Sequence, residues 1–209
     1  MQSNPIQPSL KERQRRERET LILQSAEDVF VEKGYYETSM EEIATRVGIA
    51  KGTVYLHFAS KEALVAALVT RDMEIFLEEF ESLLASEQTA RAKLEALLKS
   101  MYTGLRRRRI QFLSSVTNGR DIRCLLPEHS NRIHELWLQL ASKVADILEE
   151  GKAAGEFKVT LPTRTMLVAL FSLSSPHVLE RLGLEDDIPP EEFVRYIETI
   201  FFDGIIAQE

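Results

Sequence analysis

Apolar residues recur at helical spacing along almost the whole chain. Ile22, Ala26, Val29 and Phe30 form a first stripe, and Gly34 closes it. Ile43, Ala44 and Val47 form a second, short stripe. Val54 and Phe58, at i and i+4, form a third. A longer pattern starts at Leu64 and Leu68 and continues through Ile75, Phe76, Phe80, Leu83 and Leu84. Leu94, Leu97 and Leu98 mark another helix. Ile133, Leu136, Trp137, Leu140, Val144, Ile147 and Leu148 mark a strongly amphipathic one that ends near Gly151. The segments Pro162–Ser175 and Phe193–Ile205 are apolar over much of their circumference. No block alternates with period two, so the expected fold class is all-α.

Residues 38–60, TSMEEIATRVGIAKGTVYLHFAS, carry the most specific pattern. Ser39 or Thr38 can cap a short helix, with Glu42 or Glu41 completing a capping box. Gly48 can supply the positive φ of a sharp turn. In the next helix Val54 and Phe58 face inward, leaving Lys51, Thr53, Tyr55 and His57 mostly outside. Such a polar face suits a DNA groove. The plainer alternative is a helical hairpin with an ordinary polar surface.

The flanking segments set the domain plan. Residues 1–10, with Pro5 and Pro8, are expected to be a disordered tail. The basic run Lys11–Arg18 begins the first helix, either as a solvated helix start or as a flanking phosphate contact. Tyr36 either packs near the turn or reaches a phosphate. Ser60 reads as the N-cap of the fourth helix, with Lys61 in its first turn. The expected division is a helix-turn-helix DNA-binding domain at 11–60 and a regulatory and dimerisation domain at 61–209.

Two broadly apolar helices at the end of the chain need covering. A twofold homodimer with a four-helix interface would cover them, as would burial inside one core. The interface candidates are Leu167, Leu170, Phe171, Phe193, Ile197, Ile200, Phe201 and Ile205. The four arginines Arg106–Arg109 cannot all face one way on a helix. They form a surface patch or aim partly at an acidic partner or cavity.

The chain has 209 residues and a formal net charge of −7. Residues 1–60 hold eight Lys and Arg against nine Asp and Glu, so the acidic excess lies mostly beyond them. Charge supports nucleic-acid binding only through the local cluster at Lys11–Arg18, since the contacting face is what neutralises phosphates. No apolar run is long enough for a bilayer helix, and the first residues lack a secretory signal pattern. A single cysteine, Cys124, excludes an internal disulfide; a cytoplasmic setting without membrane contact is expected. His129 and His134 are poorly spaced for a helical metal pair. No HExxH, CxxC, GxSxG or phosphate loop is present, so neither metal nor cofactor nor enzyme activity is expected.

Residues 23–68 closely resemble the N-terminal domain of the TetR/AcrR family of bacterial transcriptional regulators. The resemblance rests on A-x-x-x-F-x-x-x-G-Y, then T-S-x-x-x-I-A, then G-x-x-x-G-T-x-Y-x-H-F-x-S-K-E-x-L. Gly151–Phe157, G-x-x-x-G-E-F, is also family-like. The resemblance implies a homodimer that binds a near-palindromic double-stranded operator, usually as a repressor. Thr38 and Ser39 would support the helix-turn-helix or touch a phosphate. Lys51, Gly52 and Thr53 would start the recognition helix, Tyr55 and His57 would face DNA, and Lys61 would contact phosphate. A small-molecule effector, of unknown identity, would bind between the central helices and move the fourth. Met101, Tyr102, Phe112, Trp137, Leu140, Phe171 and His177 are the candidate cavity residues, and the same residues could instead fill a core.

Overall fold

The computed structural model describes residues 9–85, 89–102, 130–174 and 188–205. Among them are eight helices and no strand. They are α1 (Leu10–Glu37), α2 (Met40–Val47), α3 (Lys51–His57), α4 (Lys61–Leu84), α5 (Ala90–Tyr102), α6 (Ser130–Ala153), α7 (Thr163–Leu173) and α8 (Pro190–Ile205). The chain divides into two compact units, Met1–Leu68 and Val69–Glu209, with the boundary inside α4.

The N-terminal unit is built on the three short stripes. Ile22, Ala26, Val29 and Phe30 of α1 are buried with Ile43 and Ala44 of α2, Val54 of α3, and Leu64 and Leu68 of α4. Burying each large aliphatic or aromatic side chain is worth about 1.5–3 kcal/mol, enough to hold short helices that would not persist alone. Gly34 (φ 82°) breaks α1 near its end, where a side-chain-bearing residue would be strained. The helix starts at Leu10, capped by Ser9, so these two residues belong to the helix rather than to a tail.

The second unit has one core. Phe76 and Phe80 of α4, Leu94, Leu97 and Leu98 of α5, Leu136, Leu140, Val144 and Leu148 of α6, Met166 and Leu170 of α7, and Val194, Ile197, Phe201 and Phe202 of α8 form it. Lys143–Glu81 (2.7 Å) and Arg132–Glu74 (2.6 Å) tie α6 to α4 at the surface. The α6 helix passes Gly151 and ends at Ala153, and Gly155, with a φ of 77°, turns the chain away two residues later. Gly151 has another role. A Cβ there would overlap the Phe157 ring, which fills the notch and stacks on Phe202. Between them, the Glu156 carboxylate accepts from the backbone N–H groups of Ala90 (3.2 Å) and Arg91 (3.0 Å), capping α5. The G-x-x-x-G-E-F motif is therefore a structural device: a notch, a left-handed turn, a helix cap and a plug.

Three interface candidates follow the alternative of burial inside one core. Leu170, Ile197 and Phe201 are buried within this single chain, because α7 and α8 turn their broadest apolar sides into its own core. Leu167, Phe171 and Phe193 are half-buried against that core. Ile200 does point outward (61% exposed), as does Val168 (61%), which the sequence reading passed over. The Ile205 side chain, Arg106–Arg109, Phe112, Cys124, His129 and His177 lie outside the described residues.

Phe157→Ala should lower unfolding stability by about 3–5 kcal/mol, because the notch over Gly151 cannot close. Urea denaturation followed by circular dichroism measures this; a loss under about 1 kcal/mol would contradict the plug role.

Candidate nucleic-acid interface

The helix-turn-helix is positioned by its caps. Ser39 Oγ accepts from the Glu42 N–H (3.2 Å) and starts α2. Glu42 does not complete a capping box; its carboxylate pairs instead with Lys33 of α1. At the other end Gly48 adopts the left-handed conformation (φ 77°, ψ 32°), and its N–H reaches the Ala44 carbonyl at 3.0 Å. That turn delivers Ala50 as the N-cap of α3.

On α3, Val54 is fully buried and Phe58 nearly so. The outward face consists of Lys51, Gly52, Tyr55 (44% exposed) and Leu56 (80% exposed), with Thr53 half-buried beside it. These positions are i, i+1, i+4 and i+5, a single helix face. Space in front of Gly52 is open, so bare backbone is presented there. Lys51 Nζ bonds Glu41 at 3.1 Å, which raises its pKa. Arg46 pairs with Glu32, which lies on α1.

Two of the sequence-predicted residues, His57 and Lys61, turn out differently, and Thr38 takes the supporting one of its two expected roles. His57 is not on the outward face. Its side chain is only 8% exposed, and Nδ1 lies 3.2 Å from Glu19 Oε1 of α1. At i+3 from Val54 it follows the buried stripe. Thr38 is buried, and its hydroxyl donates to the Gly34 carbonyl at 2.7 Å, so it supports the turn. Lys61 faces inward to the end of α1. Its ammonium donates to the carbonyls of Tyr35 (2.6 Å) and Thr38 (2.9 Å) and lies 4.1 Å from the Tyr35 ring centroid. A cation at that helix end meets the negative end of the α1 dipole, the opposite of its place in α4.

Tyr35, rather than Tyr36, anchors this corner. Its ring sits 6.0 Å from Phe30, and its hydroxyl donates to Glu62 at 2.6 Å. Burial, and then the Glu62 bond, push the phenol above its usual range; the phenol's hydrogen bond holds the Glu62 carboxyl below its own. Tyr36 is exposed. Sequence reasoning missed Leu56, Glu19, Tyr35 and Glu62. Leu56 had a legible signal, an apolar residue off the Val54–Phe58 stripe. The others depend on contacts between distant segments.

Residues 22–68, which span this whole arrangement, match the model of the bacterial regulatory proteins of the tetR family. This N-terminal unit is similar to the DNA-binding domain of the tetR family. The chain is 28% identical over 159 residues to the fatty acid metabolism regulator protein of Bacillus subtilis (strain 168), covering 76% of this chain and 80% of that one. A transcriptional regulator of the TetR/AcrR family from Thermobifida fusca superposes with a TM-score of 0.74 at 26% identity, covering 90% of this chain and 98% of that one. The regulator FadR from Bacillus subtilis, solved in complex with stearoyl-CoA, shares the fold with a TM-score of 0.71 at 23% identity, over 89% of this chain and 98% of that one. The chain is thus a DNA-binding transcriptional regulator, and the family it resembles is made of regulators. Among the described residues no helix is long and apolar enough to cross a membrane.

The effector candidates of this chain separate into core and surface. Leu140 is buried in the second unit's core, and Met101 packs against it. Tyr102 is buried, donates to the Ser174 carbonyl at 2.6 Å and meets Phe193 edge-on. Burial pushes its phenol above the ordinary range. Trp137 is 42% exposed and stands edge-on to Phe171 at 5.9 Å.

Two outcomes follow from the Lys61 corner. Lys61→Ala should destabilise the N-terminal helices by about 2 kcal/mol, since two charge-assisted hydrogen bonds are lost. Hydrogen exchange of the α1–α2 amides reports this directly. The Tyr35–Glu62 bond lowers the folded carboxyl's pKa. Its stabilisation is therefore present above the ordinary carboxylate range and is lost as pH falls through the lowered value. Tyr35→Phe should cost stability at neutral pH, and the deficit should shrink toward acid in matched denaturation curves.

Proposed function

We propose that this regulator is a homodimeric repressor that binds a near-palindromic operator and is released by a small-molecule effector. The observation that carries the reading is the outward face of α3, where Lys51, Gly52, Tyr55 and Leu56 stand clear of the unit's core. Lys51 and Tyr55 supply polar contacts, Gly52 allows close backbone approach, and Thr53 and Ser39 offer hydroxyls to the edge of the groove. His57 acts from behind, holding the end of α3 to Glu19, and Thr38 and Lys61 hold the turn. Lys61 keeps one donor for a phosphate.

Two α3 helices must enter successive major grooves about 34 Å apart. In the dimer, the outward residues Val168 and Ile200, with Leu167, Phe171 and Phe193 at their margins, supply the apolar contact between protomers. Only three residues separate α3 from α4, so an effector that shifts α4 changes the spacing of the reading helices. Effector and DNA must prefer different conformations for release to follow. One relative is a fatty acid metabolism regulator and another was solved in complex with stearoyl-CoA, which makes a long-chain acyl-CoA the first effector to test. Met101, Trp137 and Phe171 are the apolar and aromatic residues offered to such a chain.

Footprinting of promoter DNA next to the regulator's own gene should show a twofold-symmetric protected site. Lys51→Ala and Tyr55→Phe should weaken that protection while leaving the dimer intact by sedimentation. Stearoyl-CoA should reverse protection at a saturable concentration. Protection of no site in a genome-wide binding assay would sink the reading. Ile200→Glu should shift the protein toward monomer without unfolding it; an unaltered dimer would exclude that face.

A further inference from the structure

We propose that the first turns of α1 form a second DNA-contacting element, a basic arm that engages backbone phosphates beside the groove entered by α3. This rests on the DNA-binding reading above and extends it to residues outside the helix-turn-helix.

The helix from Leu10 to Arg18 is exposed on all sides, with no packed face to hold it. Its helical state is secured locally. Ser9 Oγ accepts from the Glu12 N–H (3.3 Å), and the Glu12 carboxylate accepts from the Ser9 N–H (2.7 Å), a closed capping box. At a rise of about 1.5 Å per residue, these nine residues extend the helix by about 13 Å.

The cations on this extension are arranged. Lys11, Arg15 and Arg18 fall within about 60° of arc at 100° per residue. Continuing at the same spacing along the same side come Ile22, Ala26 and Val29, all fully buried. One stripe of α1 is thus apolar where the domain covers it and basic where the helix runs beyond the domain. Arg13 and Arg16 lie roughly on the opposite side.

The join between the two parts of the stripe lies at the recognition helix. Glu19, next after the basic segment, meets His57 in the last turn of α3 at 3.2 Å. The arm therefore leaves the domain beside the C-terminal end of the helix that reads DNA. The nearby acids do not cancel the basic stripe. Glu12 is spent on the Ser9 N–H, Glu17 lies away from the stripe, and Glu19 is shared between Arg15 (3.1 Å) and His57. Charge complementarity, with the arm leaving beside the C-terminal end of α3, selects the phosphate backbone as the occupant.

The test uses the full chain and compares Lys11→Gln/Arg15→Gln/Arg18→Gln with Arg13→Gln/Arg16→Gln. Binding is measured by fluorescence anisotropy on a long random-sequence duplex and on a fragment that the wild type protects, each across a salt series. Glutamine preserves helix propensity, and the extension packs against nothing, so folding should be retained; thermal melts check it. The stripe variant should weaken binding to both duplexes and reduce the slope of log K against log salt by about 2–3 per protomer, at roughly 0.9 per phosphate contact. The opposite-face variant should change the slope by less than about 1. An unchanged slope in the stripe variant, or equal losses in both variants, would overturn the arm. If the wild type binds either duplex, that failure leaves the helix-turn-helix reading standing. A wild type that binds no DNA would overturn both.

Discussion

The N-terminal unit turns on one ammonium group. Lys61, in the first turn of α4, donates to carbonyls at the end of α1 and lies over the Tyr35 ring. The chain between those points is the helix-turn-helix itself. Joining its two ends with charge-assisted bonds fixes where α2 and α3 enter and leave, and Tyr35–Glu62 adds a second link at the same corner. The carbonyls gain a partner they would otherwise seek in water, and α1 gains a cation at its negative pole. A recognition helix of seven residues has little stability of its own; its orientation is inherited from this frame and from the burial of Val54.

Electrostatics explains how a nearly neutral domain can suit DNA. Several of its cations rest on acids of the same unit: Lys51 on Glu41, Arg46 on Glu32 and Lys33 on Glu42. Exposed pairs of this kind are worth about 0–1 kcal/mol, so exchanging a carboxylate for a phosphate costs little. Shape and local charge, rather than net charge, then decide the contact.

The second unit shows how a short motif is converted into packing. Gly151 leaves a notch, Gly155 turns the chain away, Glu156 crosses to cap α5, and Phe157 returns to fill the notch. Each residue acts only because the next is in place. The same unit redirects its apolar helices. Much of the hydrophobic surface of α7 and α8 is consumed inside the chain, leaving Val168 and Ile200 as the outward remainder.

Helical periodicity by itself determined the all-α class, the buried stripes of the N-terminal helices, the Ser39 and Ser60 caps and the left-handed turn at Gly48. These are local: each depends on residues within one or two turns, where spacing and backbone preference act directly. The motif spanning residues 23–68 likewise carried the family resemblance and the DNA-binding role. Tertiary structure decided what depends on residues far apart. Glu19 of α1 and His57 of α3 are 38 positions apart, so no local pattern could show that His57 is buried. Lys61 looked like a surface cation because only the folded chain brings the carbonyls of Tyr35 and Thr38 to it. The apolar faces of α7 and α8 looked alike in sequence, since periodicity reveals which side of a helix is hydrophobic but not which neighbour covers it. The basic stripe of α1 combines both kinds of information. Its spacing was written in the sequence, and its place at the end of the reading helix came from the fold.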